Sequence, residues 1–245
     1  MEKAMLWLPG WGMSDQVWTS IRSHFPSHLH VTPDYSGVTR PSHFYKAIEK
    51  EVRSVGSLPL QVIGWSMGGM LAQRLASRHP VSGLVLISTT ARFVRSREER
   101  DKGWTEAALQ KMQRSLAVDR TRVMEGFVRS VATEQEYRQE TAFQQAAGAE
   151  WNLEALMAGL DYLREEDCRH KLSSLSCPTL VIHGTADGIC PFAAGEELAS
   201  LIPNSAFLPL QDCGHAPMIS RADTMIDAVK RMVENDGEDG RRKSV

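Results

Sequence analysis

Ser66 lies in Val-Ile-Gly-Trp-Ser-Met-Gly-Gly, residues 62–69, between two glycines and directly after an apolar run. A serine hydroxyl is a weak nucleophile that needs an exposed position and a base to take its proton. Gly64-Trp65-Ser66-Met67-Gly68 supplies the position. It is the G-x-S-x-G turn that lifts a nucleophile from a strand's carboxyl end, and so sharp a turn tolerates only small neighbours. Along the chain such a serine is followed by an acid and then a histidine. Asp187 follows the run Thr179-Leu-Val-Ile-His-Gly, and His215 stands in Asp212-Cys-Gly-His-Ala-Pro after the last apolar run. His215 would be the general base, and Asp187 would hold its tautomer. Asp212 is a rival acid, but it shares the loop of His215 and lies only three residues before it. Geometry rather than closeness in sequence makes a triad, so Asp187 is preferred.

Acyl transfer also needs donors for the oxyanion of its tetrahedral intermediate. One is expected to be the N–H of Met67, next after the nucleophile, and the other an N–H from the loop after an early strand. That loop is Leu8-Pro-Gly-Trp-Gly12, and the N–H of Trp11 is the candidate.

These residues need a sheet to bring them together. Short apolar runs recur at Met5–Leu8, Leu29–Thr32, Leu60–Gly64, Gly83–Ser88, Thr179–His183 and Ala206–Leu210. Runs apolar on both faces suit parallel strands covered by helices. Amphipathic stretches between them, such as Met67–Ser77, predict a doubly wound α/β fold. From about Arg92 to Glu166 no strand pattern is visible. Helical stripes take its place: Leu109, Met112 and Leu116; Val123, Phe127 and Val131; Leu153, Leu156, Leu160 and Leu163. This predicts three or four helices inserted over the carboxyl edge of the sheet, where a ligand crevice belongs. The expected division is a core of 1–91 and 167–234, a helical lid of 92–166 and a flexible tail of 235–245.

The chain has 245 residues and a formal net charge of −2, so no global field points to nucleic acid or a membrane. No apolar run has the length of a membrane span. The four cysteines, Cys168, Cys177, Cys190 and Cys213, form no C-x-x-C pair, and free thiols in a cytoplasmic protein are expected. Cys190 and Cys213 flank the loops of Asp187 and His215. His24, His28 and His30 lack the partners a metal site requires, so no metal or organic cofactor is expected. The stretch Ser88-Thr-Thr-Ala-Arg-Phe93, which leaves a strand end beneath the lid, is expected to line an acyl pocket, with Trp11, Trp65 and Phe143 as further candidate walls.

Leu-Pro-Gly-Trp-Gly-Met, Gly-Trp-Ser-Met-Gly-Gly, His-Gly-Thr-Ala-Asp-Gly-Ile-Cys-Pro and Gly-His-Ala-Pro-Met-Ile-Ser together resemble the α/β-hydrolase superfamily, from about residue 5 to residue 233. Within it the chain looks like the biotin-synthesis carboxylesterases, through Gly-Trp-Gly, the elbow and Gly159-Leu-Asp-Tyr-Leu-Arg-Glu-Glu-Asp-Cys-Arg169. That resemblance implies an α/β-hydrolase fold, a serine carboxylesterase, and the methyl ester of pimeloyl-acyl-carrier protein as substrate. It also implies lid arginines that meet the carrier: Arg122 and Arg138 match, while Gly126 and Ala142 stand where others of the family carry larger residues. Arg114 and Arg129 are substitutes. Pro9 replaces the histidine usual in the first loop. Between Arg92 and Arg138 eleven Lys or Arg stand against eight Asp or Glu, a basic excess that would steer an acidic carrier. A mixed-charge solvated face explains the same count. A monomer is expected. The alternatives are a broad esterase or lactonase on small free esters, a lyase-type elimination with the same triad, and a non-catalytic ligand-binding protein of the same fold.

Overall fold

The computed structural model describes residues 3–140, 142–145 and 151–242. Each of the six apolar runs forms a strand: β1 (Ala4–Leu8), β2 (Leu29–Val31), β3 (Leu60–Trp65), β4 (Gly83–Ile87), and, beyond the insertion, β7 (Thr179–Gly184) and β8 (Ser205–Leu210). They pair in the order β2-β1-β3-β4-β7-β8, every pair parallel. Every residue of β1, β3 and β4 is buried, as strands with helices on both faces must be. β8 is an edge strand and is largely half-exposed. It accommodates Pro209, which has no N–H to give a further neighbour.

Helices α1 (Thr19–Arg22), α2 (Pro41–Ser54) and α3 (Met67–Ala76) alternate with the first four strands. α3 starts at the elbow and is buried along most of its length between the sheet and its neighbours. Two small strands, β5 (Val94–Arg95) and β6 (Trp104–Thr105), pair in parallel, a correction to the expectation of no strand in this stretch. Two-residue strands carry no alternation that a sequence reading can detect.

The insertion then consists of α4 (Glu106–Val118), α5 (Arg120–Ser130), α6 (Glu134–Gln139), α7 (Ala142–Gln145) and α8 (Leu153–Glu165). Thr105, Asp119, Thr133 and Asn152 each cap a helix by accepting from the backbone N–H three positions on. Leu109, Leu116, Val131, Leu156, Leu160 and Leu163 of the expected stripes are buried, while Leu153 is exposed. The chain returns through α9 (Arg169–Leu172), and α10 (Phe192–Leu201), α11 (Pro217–Ser220) and α12 (Ala222–Arg242) complete the core. α12 runs through most of the stretch expected to be a flexible tail, and residues 243–245 lie outside the described residues.

The insertion leaves and rejoins the core at one place. Arg92 and Asp167 form an antiparallel bridge, and their side chains pair at 3.3 Å. Beside them Glu166 accepts from Arg74 at 2.5 Å and Lys171 at 2.8 Å, and the buried Arg95 pairs with Glu197 of α10. Hydrogen bonds from Arg169 hold the Asp167 carboxyl down at a pKa of about 2.

Candidate active site

Ser66 stands between β3 and α3 with φ 55° and ψ −122°. Ser66, Ser88 and Asp212 are the non-glycine residues with positive φ among those described, each at or beside the carboxyl end of a strand. Backbone strain of this kind persists only where surroundings impose it. At Ser66 they do: its N–H donates to Ile87 O at 3.0 Å, and its carbonyl accepts from Thr89 Oγ1 at 2.6 Å. Gly68 passes so close to β1 that a Cβ there would lie 2.1 Å from Leu8 O, and one on Gly64 would lie 2.5 Å from Gly68 O. The glycines of the motif are thus fixed by the crowding that the turn creates.

Asp187 follows β7, and His215 precedes α11. His215 Nδ1 lies 2.8 and 3.0 Å from the two oxygens of Asp187. A carboxylate accepts, so the ring carries its proton on Nδ1 and leaves Nε2 with a lone pair. Nε2 is buried and makes no hydrogen bond among the described residues, so none joins it to Ser66 Oγ. In unliganded sites that bond is often loose and tightens around substrate. Asp187 Oδ1 also accepts from the N–H groups of Ile189 and Cys190, both at 2.9 Å. Burial pushes the Asp187 carboxyl up, but the charge and hydrogen bonds of His215 and His183 outweigh it and hold the group well below the usual range. Asp212, by contrast, is exposed, and its N–H donates to Thr185 Oγ1 at 3.0 Å.

The Met67 and Trp11 N–H groups make no backbone hydrogen bond to the described residues, as an oxyanion site requires. The Trp11 side chain is anchored in the insertion: Nε1 donates to Leu156 O at 2.8 Å, and its ring meets Phe127 edge-on at 4.9 Å. A narrow pocket opens at Ser66. Trp11, Phe93, Trp104, Leu109, Met112 and Phe127 form much of its wall, and Ile189 adds to it. Its free volume of about 20 Å³ is room for roughly one water. A larger groove with Thr179, Phe207 and Met232 opens at the opposite end of β7 and β8 from the triad loops.

The remaining expected site residues are spread out. Trp65 donates to His215 O at 2.7 Å rather than lining the pocket. Ser88 is buried at the end of β4, and Phe143 is buried on α7; neither lines the pocket at Ser66. Arg114, Arg122, Arg129 and Arg138 are exposed on the insertion. Arg129 and Arg138 share Glu134, at 3.2 and 3.0 Å. All four cysteines are free thiols, and burial pushes Cys213 up to about 12. His30 accepts from Trp7 Nε1 at 3.0 Å, and among the described residues no group of three His, Cys, Asp or Glu could hold a metal ion.

Sequence reasoning missed two contacts. His183 lies behind the acid, with Nε2 2.8 Å from Cys190 O and 3.4 Å from Asp187 Oδ2. Glu136, only 3% exposed, reaches from α6 to the His215 loop and accepts from Gly214 N at 3.0 Å and Ser220 Oγ at 2.6 Å. Burial raises the Glu136 carboxyl, but hydrogen bonds from Ser220, Thr133 and Gly214 bring it below its ordinary value. The spacing Thr133-x-x-Glu136 is a capping-box signal, and both its bonds are present. That spacing could have marked the helix start, while the contacts to residues 214 and 220 have no sequence signature.

Residues 5–228 match the model of a family described as alpha/beta hydrolases. The chain is 32% identical over 228 residues to a pimeloyl-[acyl-carrier protein] methyl ester esterase of Aromatoleum aromaticum, covering 87% of this chain and 91% of that one. It is 32% identical over 241 residues to a protein of the same name from Serratia marcescens, covering 93% of each. Among solved structures, an esterase from Exiguobacterium antarcticum superposes with a TM-score of 0.80 at 18% identity, over 95% of this chain and 92% of that one, a likeness of fold alone. No helix among the described residues is long and apolar enough to cross a membrane.

Proposed function

We propose a function from one premise: the chain belongs to the alpha/beta hydrolase family. The reading is a serine carboxylesterase that hydrolyses the methyl ester of a pimeloyl chain on acyl-carrier protein. The observation that carries the chemistry is His215, with Nδ1 bonded to Asp187 and Nε2 left free as a base. The names of the relatives above support the substrate.

Ser66 Oγ attacks the ester carbonyl while His215 Nε2 takes its proton, and Asp187 stabilises the imidazolium. The N–H groups of Met67 and Trp11 receive the oxyanion, and losing one such donor typically costs about 3 kcal/mol of transition-state binding. The C–O bond to the methoxy group then breaks, and His215 returns the proton so that methanol leaves. Water, deprotonated by the same nitrogen, attacks the acyl-enzyme and frees the acid and Ser66. The pocket residues carry no charge, which suits an uncharged methyl ester and disfavours the carboxylate product left there unpaired. Room for one water is too little for an acyl chain, so the 92–166 segment acts as a lid that must shift over the 1–91 and 167–234 core. Its exposed arginines would meet the acidic carrier.

The test is steady-state hydrolysis of methyl-pimeloyl-acyl-carrier protein beside p-nitrophenyl butyrate. Ser66→Ala should lower kcat by about 10⁴-fold or more on both. A far higher kcat/KM for the carrier-bound ester supports the substrate assignment. Turnover of the small ester alone would leave a broad esterase, and no loss in Ser66→Ala would overturn the mechanism.

A further inference from the structure

His215 is held by its backbone as much as by its ring. Its carbonyl accepts from Trp65 Nε1 at 2.7 Å, on the side of the nucleophile's strand. On the other side its N–H donates to Val131 O at 2.8 Å, and the preceding N–H, of Gly214, donates to the Glu136 carboxylate at 3.0 and 3.2 Å. Two consecutive amides of this loop are therefore bonded to the insertion and not to the core.

Glu136 makes more bonds than its helix needs. A capping box asks it to accept only from the Thr133 N–H, which it does at 2.8 Å. It accepts as well from Gly214 and from Ser220 Oγ at 2.6 Å, and Arg221 Nη1 lies 3.8 Å away. Gly214 permits this approach, because a Cβ there would lie 2.8 Å from Glu136 Oε2 and 2.9 Å from Thr133 N. A carboxylate accepts at every position and has no hydrogen to turn against these donors. A buried charge is tolerated only when so satisfied.

We propose that Glu136 is a positioning residue for the reaction: its carboxylate fastens the His215 loop to the insertion and so fixes where His215 Nε2 stands relative to Ser66. This rests on the reading of His215 as the general base. Glu136 touches neither ester nor nucleophile. It acts by coupling the seat of the insertion to the aim of the base, so that the catalytic set is complete only when the insertion is in place. A displacement of about 1 Å in a catalytic group costs on the order of 100-fold in rate.

The experiment compares wild type, Glu136→Gln, Thr133→Ala and Ser66→Ala. The glutamine keeps the size but turns an NH₂ toward backbone donors. Thr133→Ala removes the other half of the capping box and leaves the bonds to Gly214 and Ser220 intact. For p-nitrophenyl butyrate, kcat should fall about 10- to 100-fold in Glu136→Gln with KM within about twofold, and stay within about twofold in Thr133→Ala. Labelling of Ser66 by a fluorophosphonate should slow in parallel. The low-field ¹H resonance of the His215 Nδ1 proton should shift or vanish in Glu136→Gln and persist in Thr133→Ala. Equal losses of kcat in Glu136→Gln and Thr133→Ala would reduce Glu136 to a helix cap and overturn the proposal, as would Glu136→Gln with wild-type kcat. Failure of the esterase reading itself has a different signature, wild type no more active than Ser66→Ala. The His215 resonance then decides alone: movement in Glu136→Gln supports the positioning role, and no movement overturns it.

Discussion

The sheet and the insertion are built on different terms. In the sheet, β1, β3 and β4 are buried on both faces, and backbones pass so closely that Gly68 has β1 against it. In the insertion, α5 has Val128 as its buried residue, Gly126 faces open space, and exposed Arg129 and Arg138 share one glutamate. The sheet holds Ser66 by the close backbone packing at Gly64 and Gly68 and by bonds to its own strand ends at Ile87 and Thr89, while the insertion holds Trp11 and the His215 loop by a few polar contacts to Leu156, Val131 and Glu136. The difference teaches where precision resides: Ser66 is set by contacts within the core alone, and His215 by hydrogen bonds that reach across to the insertion.

One substitution made in both regions is the sharpest way to break this comparison. Gly68→Ala must find room beside Leu8 O and should destabilise the protein by about 3 kcal/mol or more. Gly126→Ala, on the exposed face of α5 with nothing near it, should stabilise by about 0.5–1 kcal/mol by removing a flexible helix residue. Urea unfolding of the two variants measures both, and like signs would end the contrast.

The next effect concerns the carrier. The double variant Arg122→Glu with Arg138→Glu should raise KM for the carrier-bound ester about 5- to 10-fold, with the effect shrinking as salt rises. Kinetics at two ionic strengths decide it. An unchanged KM would return these arginines to the role of a solvated face.

The smallest effect is at the base of the insertion. Asp167 is held at about 2 against an ordinary value of 3.8, so its contribution is fully present above 3.8 and lost as pH falls toward 2. The pairs with Arg169 and Arg92 are partly exposed, and Asp167→Asn should cost only about 0.2–1 kcal/mol at neutral pH. Unfolding curves recorded from pH 6 downward should show wild type and variant converging below pH 3.8. A gap that widened there would contradict the ion-pair account.

The same contrast explains what was legible beforehand. The central strands could be read because a strand buried on both faces must be a continuous apolar run, as Gly83-Leu-Val-Leu-Ile is, and the edge strands β2 and β8 because they are short apolar runs set between helical stretches. The serine turn and the acid and histidine loops could be placed because each is attached to such a run. Trp11 and Phe93 of the pocket wall could be read from the loops that leave β1 and β4, but Trp104 and Ile189 could not, because a two-residue strand and a loop bring them there only in three dimensions. Glu136 gave a helix signal and no hint of its longer reach, because a hydrogen bond across 78 residues leaves no periodicity.

The bridge between Arg92 and Asp167 bears on how such a chain can change over generations. Both ends of the segment between them emerge through one doorway, already fastened to each other. The entropy of closing that loop grows only slowly with its length. A segment of another length or sequence can therefore be spliced in at little thermodynamic penalty to the sheet, and with it a new clientele of substrates. What such a splice would have to replace is a carbonyl for the Trp11 ring, a carbonyl for the His215 amide and a carboxylate for the Gly214 amide, plugs by which a replacement cassette would be wired to the loops of Trp11 and His215.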